Sequence, residues 1–200
     1  MRSRLGIAMA LGVDLAALFG TGAGNQPRGI LNYPGINNVS LGANGGPPSW
    51  EAMVNMETLI NASNADVGQM GYVTNSKGKG TLKVTPKVPQ AVTAGSFVTN
   101  DFLWTSNGDM DMINGYKAYC SNQIVDNLTK GTGNNLSAMI FGVWSQLMIG
   151  QWGVVEIMSN PYGDADFLRG GLKVRVFFTM DVQVGYEQAF SAITDMVTAV

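Results

Sequence analysis

Between positions 172 and 184, apolar side chains fall on every second residue. Leu172, Val174, Val176, Phe178, Met180, Val182 and Val184 make one series; Lys173, Arg175, Thr179, Asp181 and Gln183 make the other, with Phe177 alone breaking the polar side. A period of two marks a strand with one face buried and one face wet. The run reaches ~43 Å at ~3.3 Å per residue, more than twice an ordinary strand. Burying its apolar side chains is worth roughly 10–20 kcal/mol gross, and that gain requires another element along the whole length. The chain must supply a long partner or borrow one.

The candidate partner is at the other end of the sequence. Ile7, Leu11, Leu15 and Leu18 recur at helical steps, with Met9, Ala10 and Ala16 between them, which predicts a helix over 2–19 with that stripe turned to the strand. At 1.5 Å per residue it covers ~27 Å, so part of the strand stays bare unless the helix continues upstream or a neighbouring subunit fills in. Arg2 and Arg4 sit at the positive end of the helix dipole with Ser3 as a weak cap, a start expected of a helix cut from a longer one. Gly20, Gly22, Gly24 and Pro27 stop it. Residues 32–48 are rich in Gly, Asn and Pro and read as turns. Ser49 then caps a second amphipathic helix to about residue 64, with Glu51 in its first turn and Trp50, Met53, Val54, Leu59 and Ile60 as its apolar face. Strands are expected at 67–74, 116–121, 137–141 and 143–149, with a flexible, positively charged loop tip at 75–80, a Pro-punctuated stretch to Pro89 and a Gly/Asn turn at 130–135. The class is α+β.

Composition removes most chemistry. Of 200 residues, 46% are hydrophobic and 13% charged, about half the usual ~25% charge of a globular domain, which suits one core and surfaces that associate. A net charge of −2, with no cluster of Lys or Arg, lacks the footprint of a nucleic-acid binder. With no histidine there is no Ser-His-Asp or Cys-His catalysis and no imidazole for zinc. Cys120 cannot make an internal disulfide and, in an expected strand, reads as a packed thiol. No uninterrupted apolar run of ~18 residues supports a membrane helix. The basic, then apolar, then small-residue start also has the outline of a secretion signal, but Asp14 falls inside its apolar part and the amphipathic helix is the better reading.

Each motif that hints at a ligand lacks a part. Gly20-Thr21-Gly22-Ala23-Gly24-Asn25 misplaces the third glycine of a dinucleotide fingerprint and follows a helix instead of a strand. Lys77-Gly78-Lys79-Gly80-Thr81 lacks the upstream glycine of a phosphate loop. Asn107, Asp109 and Asp111 alternate as in a calcium loop, but Met112 and Ala118 stand where Gly and Glu are needed. Asp164 and Asp166, beside Pro161 and Gly163, read as a turn in preference to a glycosidase pair. No catalytic, cofactor or metal site is expected.

Four segments, in order, carry a family resemblance. They are the helix running into Gly-Thr-Gly-Ala-Gly-Asn-Gln-Pro-Arg-Gly-Ile-Leu at 20–31, Met-Gly-Tyr-Val-Thr-Asn at 70–75, Ile-Phe-Gly-Val-Trp-Ser-Gln at 140–146, and the strand over 172–184 followed by Ala189-Phe190. Together they resemble the C-terminal portion of the tailed-bacteriophage major capsid proteins of the Hong Kong 97 type. The resemblance implies that residues 1–31 end the spine helix of a peripheral domain, 32–158 form an axial domain around the capsomer centre, and 159–200 return to the peripheral domain. It implies a structural head protein and not an enzyme. Such a protein self-associates into pentamers and hexamers beside portal and scaffolding partners, and resides in the virion after synthesis in the host cytoplasm. It uses no cofactor, membrane or specific nucleic acid through this stretch.

The N-terminal arm and extended loop of the family do not fit before Gly6, so a truncated or internal-start form is expected, and no chain-linking lysine is carried over. Lys77, Gly78, Lys79 and Gly80 are the expected lattice contact near the capsomer axis. An encapsulin-like nanocompartment shell shares the fold. The reading from another class is a secreted β-rich carbohydrate-binding or hydrolytic domain. With covering elements missing, the purified chain is expected to be a monomer or small ring that tends to aggregate.

Overall fold

The computed structural model describes residues 2–88, 101–162 and 168–198. In chain order the elements are α1 (Arg2–Phe19), β1 (Asn37–Asn38), α2 (Trp50–Ala62), β2 (Met70–Thr74), α3 (Ser76–Val84), β3 (Thr105–Asn107), β4 (Met110–Ile113), β5 (Tyr116–Cys120), β6 (Leu128–Lys130), β7 (Gly133–Val143), β8 (Leu147–Asn160), β9 (Lys173–Val184) and β10 (Phe190–Met196). Among the described residues the strands form two sheets. The larger is ordered β1-β10-β7-β2-β5-β4-β3, with β6 on β7; the smaller is the ribbon β8-β9. The α+β class is as expected.

Helix α1 stops where the glycines and Pro27 said it would. The Gly20 amide donates to the Ala16 carbonyl, and the chain doubles back so that the Gly29 amide donates to the Gly20 carbonyl at 2.9 Å. A Cβ on either Gly20 or Gly29 would collide with the other strand's backbone, so both positions need glycine for close approach. Asn32 donates from its side-chain amide to the Phe19 and Gly20 carbonyls at 2.9 and 3.1 Å, satisfying the helix end.

Helix α2 begins as read from the sequence, with the Ser49 hydroxyl accepting from the Ala52 amide at 3.2 Å. It buries Ala52, Met53, Met56 and Ile60 and lies across β1, β7 and β10, while Leu59 stays partly in solvent. The core sits between α2 and the middle of the larger sheet, where β7 is buried from Leu136 to Val143. The Phe141 ring stacks on Tyr72 with centroids 4.1 Å apart and meets Tyr116 edge-on at 5.2 Å. An Asn114-Gly115 turn, both residues at positive φ, joins β4 to β5, the two-residue geometry that matches the twist of a hairpin.

The expected strand over 143–149 is corrected. Strand β7 ends at Val143, a single 3-10 turn over Trp144–Gln146 leads the chain out of the larger sheet, and β8 continues to Asn160. Trp144 fixes that departure point: its indole N–H donates to the Gly71 carbonyl at 3.0 Å and its ring meets Phe190 edge-on at 5.8 Å. The Gly185 amide returns to the Gln146 carbonyl at 2.8 Å and closes the base of the ribbon.

The long alternating strand is present as β9, paired antiparallel to β8 over its length, with a bulge where Gly153 to Val155 oppose Phe178. Its even-numbered side chains are half-buried, and Val182 and Val184 fully so, while the odd-numbered ones face out. Helix α1 lies against β9, as the length argument required, but on a different stripe. The half-buried positions of α1 are Leu5, Met9, Val13, Ala16 and Phe19, while Ile7, Leu11 and Leu15 are exposed by 60%, 45% and 43%. Two residues along a helix is about 200° of rotation, so the expected stripe points away from the ribbon. Leu18 alone of that series is buried, under the chain crossing at Gly29. The last third of the sequence is thus shared: β9 stays in the ribbon, and β10 returns to the larger sheet between β1 and β7.

Candidate functional site

Residues 75–80 are not the loop tip expected from their Lys-Gly-Lys-Gly composition. They open α3, whose N-terminus is capped by the Asn75 side chain accepting from the Gly78 amide at 2.7 Å. Gly78 is buried, Lys77 and Lys79 are half-buried, and Gly80 is exposed. The two lysines are tied down: Lys77 pairs with Asp126 at 2.8 Å and Lys79 with Asp111 at 2.5 Å. Lys79 also lies 5.0 Å from the Trp104 ring centroid, and the Ser106 hydroxyl donates to Asp111 at 2.6 Å. Tertiary partners on β3, on β4 and in the connection between β5 and β6 therefore override a composition that favours a turn.

The hydrogen bond from Lys79, supported by the one from Ser106, holds the Asp111 carboxyl well below the usual carboxylate range; Lys77 lowers Asp126 in the same way. A carboxyl depressed by folding stabilises the protein above its unfolded value of about 3.9 and loses that contribution as pH falls through the folded value. Thermal unfolding should therefore shift to lower temperature below about pH 4. In the Asp111→Asn variant that acid shift should shrink, with the midpoint at neutral pH already reduced. An unchanged acid profile would remove the Lys79–Asp111 pair from the account of α3.

The other sequence candidates separate. Asp111 is occupied by Lys79 and Ser106, so Asn107, Asp109 and Asp111 do not converge on a cation, and among the described residues no group of three or more acids or cysteines could hold a metal. Asp164 and Asp166 lie outside the described residues, as does the stretch from Pro89 to Asn100. Cys120, at the end of β5, is exposed and not packed. A half-buried polar cluster escaped the sequence reading: Glu57 on α2 accepts from Tyr116 at 2.7 Å and from Asn114 at 2.5 Å. The Tyr116 phenol is pushed up to about 12, mainly by that bond to Glu57. The Asn-Gly turn was the available signal, since it fixes a hairpin that brings both donors to one carboxylate.

What the molecule offers to partners is surface. Exposed large apolar side chains concentrate on α1 (Ile7, Leu11, Leu15) and on the ribbon, where Met148, Ile149, Trp152, Val154, Ile157 and Met158 are each about half exposed or more. Exposed apolar side chains gathered in this number on two elements point to an interaction surface. The phage capsid family model matches residues 1–195. The chain belongs to the phage capsid family. It is 33% identical over 191 residues to the major capsid protein of Halomonas phage phiHAP-1, covering 96% of this chain and 27% of that protein. The capsid of an empty GTA particle, computed with C5 symmetry, superposes at TM-score 0.66 with 16% identity over 98% of this chain and 64% of that one. The SrpI encapsulin of Synechococcus elongatus PCC 7942 superposes at 0.56 with 12% identity over 96% and 64%. The chain thus spans about a quarter of its curated relative and under two thirds of these solved shells. Its fold is the Hong Kong 97-type capsid fold.

Proposed function

We propose that this capsid-family chain is a structural tile of a phage head, acting through many weak, repeated contacts with copies of itself and not through catalysis. The observation that carries this reading is the apolar surface left open on α1 and the ribbon of a family member whose buried core lies in the larger sheet. Symmetric shells need such self-complementary patches. In this reading the chain is made in the host cytoplasm and enters pentamers and hexamers of the virion shell beside portal and scaffolding proteins.

The larger sheet with α2 and α3 acts as the axial part, and α1 with the ribbon as the peripheral part. The division drawn at 31/32 and 158/159 is best moved, at its second boundary, to the turn over Trp144–Gln146 where the chain leaves the larger sheet, with a third boundary at Gly185, after which the chain returns to that sheet as β10. Near the capsomer axis the contact falls on Lys77 and Gly80, which reach solvent, rather than on Gly78, which is buried.

The test is to purify head particles from the host by density gradient and look for this chain by mass spectrometry. Its presence in DNA-containing head fractions supports the reading; absence from every particle fraction removes it. Particles that hold a protein cargo in place of DNA would favour the encapsulin-like alternative, which the shared fold keeps in view.

A further inference from the structure

The two faces of the ribbon differ in what they could bind. Residues directly opposite each other across the β8–β9 ladder share a face. The outward face therefore carries Arg175, Phe177, Thr179 and Asp181 from β9 and, opposite them, Met158, Glu156, Trp152 and Gly150 from β8. Trp152 and Phe177 are 59% and 38% exposed, and the Arg175 guanidinium lies 3.8 Å from the Phe177 ring centroid, so this face is an ordered surface. Along β9 the charge changes sign about its middle: cationic Arg175 stands three residues before Phe178, and anionic Asp181 three residues after it. At ~3.3 Å per residue each charge lies ~10 Å from that centre.

A face with opposite charges placed symmetrically about a centre made of Phe177, Thr179, Trp152 and Glu156 complements itself when turned end for end, which sets Glu156 against Trp152 of the second copy. A two-fold axis lying between two such faces, across the strands, reverses β9 on β9 of a second copy. Arg175 then meets Asp181 of that copy, Asp181 meets its Arg175, and the Gly150 position faces Met158. An axis along the strands would set β9 over β8 and match neither charge. We propose that the outward face of the ribbon is a two-fold contact between copies of this chain, with Arg175 and Asp181 as reciprocal partners around Trp152 and Phe177. The proposal rests on the self-associating reading above and specifies one contact of that assembly. A ribbon ~40 Å long and two strands wide offers less than the ~800 Å² per partner of a standard stable interface, so the contact is weak alone and suits a shell in which it is repeated.

Sedimentation equilibrium of the full chain, from about 10 µM to 1 mM at low salt, tests this. The unmodified chain should dimerise, and less so as salt shortens the Debye length from ~10 Å towards ~3 Å. Arg175→Asp sets four acids at the paired charge positions, beside Glu156 of each copy, and Asp181→Arg sets four cations at them; each should weaken dimerisation at least about tenfold through like-charge contact. An equimolar mixture of the two single variants should dimerise again, because every contact across a mixed pair is then between opposite charges. Both substituted side chains are solvent-exposed, and recovery in the mixture shows that each variant is folded. An unmodified chain that stays monomeric throughout, single variants that associate as it does, or a mixture that does not recover each overturn the proposal. Rings of five or six indifferent to the swaps also overturn it while leaving the shell reading intact, and absence from head particles would overturn that reading without bearing on these dimers.

Discussion

Truncating Phe141 to alanine is expected to destabilise the chain by about 3–5 kcal/mol, through lost apolar transfer and the cavity left behind. Phe141 is fully buried on β7, the strand to which β10, β2 and β6 all pair, and its ring is held between Tyr72 and Tyr116. Both β neighbours hold backbone positions fixed by ladder hydrogen bonds, so the site cannot collapse to refill the space. For a domain of this size the loss corresponds to a fall in Tm of about 6–20 °C. Phe141→Leu should recover most of it. Phe177→Ala, on the ribbon, removes a ring that is 38% exposed and should cost under about 1 kcal/mol. Denaturant unfolding of the three variants checks the contrast; equal losses at 141 and 177 would mean that the larger sheet does not hold the cooperative core.

Removing the Asp195 carboxylate is the second large effect. Asp195 is 1% exposed. It accepts from the Leu41 amide at 3.0 and 3.2 Å, from the Ser40 hydroxyl at 3.2 Å and from the Lys130 ammonium at 2.6 Å. It thereby laces three distant segments, the loop after β1, the β6–β7 turn and the end of β10. Asp195→Ala leaves a cation and an amide donor without their acceptor, and breaking such a buried pair costs about 3–5 kcal/mol. Lys130 is 37% exposed and can turn to water, which places the expected loss at the lower end, about 3 kcal/mol. A double-mutant cycle with Lys130→Met measures the coupling: the double variant should be less destabilised than the sum of the singles, and strict additivity would show that the pair does not act as a unit.

What could be read from residues alone followed from local rules. Strand β9 was legible because a period of two survives whatever the strand packs against, and α2 because Ser49, Glu51 and a helical stripe agree with one another. The stop after α1 was legible because glycine and proline act through their own backbone. The candidate contact at Lys77 to Gly80 was legible as a charged segment but not as a helix. Its Gly residues oppose helix formation locally, and the pairs with Asp126 and Asp111 that favour it come from residues more than 30 positions away. The Asp195 knot and the Glu57 cluster had no sequence signal of comparable strength, since their members are scattered along the chain.

The sequence by itself determined the long strand β9, the two amphipathic helices and a composition without the residues of most catalytic sites, and four ordered segments carried the family. Tertiary structure decided which side of α1 packs. Both of its stripes are apolar, so local pattern leaves the choice open, and only contact with β9 turns Leu5, Met9 and Val13 inward while Ile7, Leu11 and Leu15 face out. It also decided that β8, and not α1 alone, accompanies β9 along its length. Backbone pairing across a ladder depends on register between distant segments, a quantity that no single stretch of residues encodes.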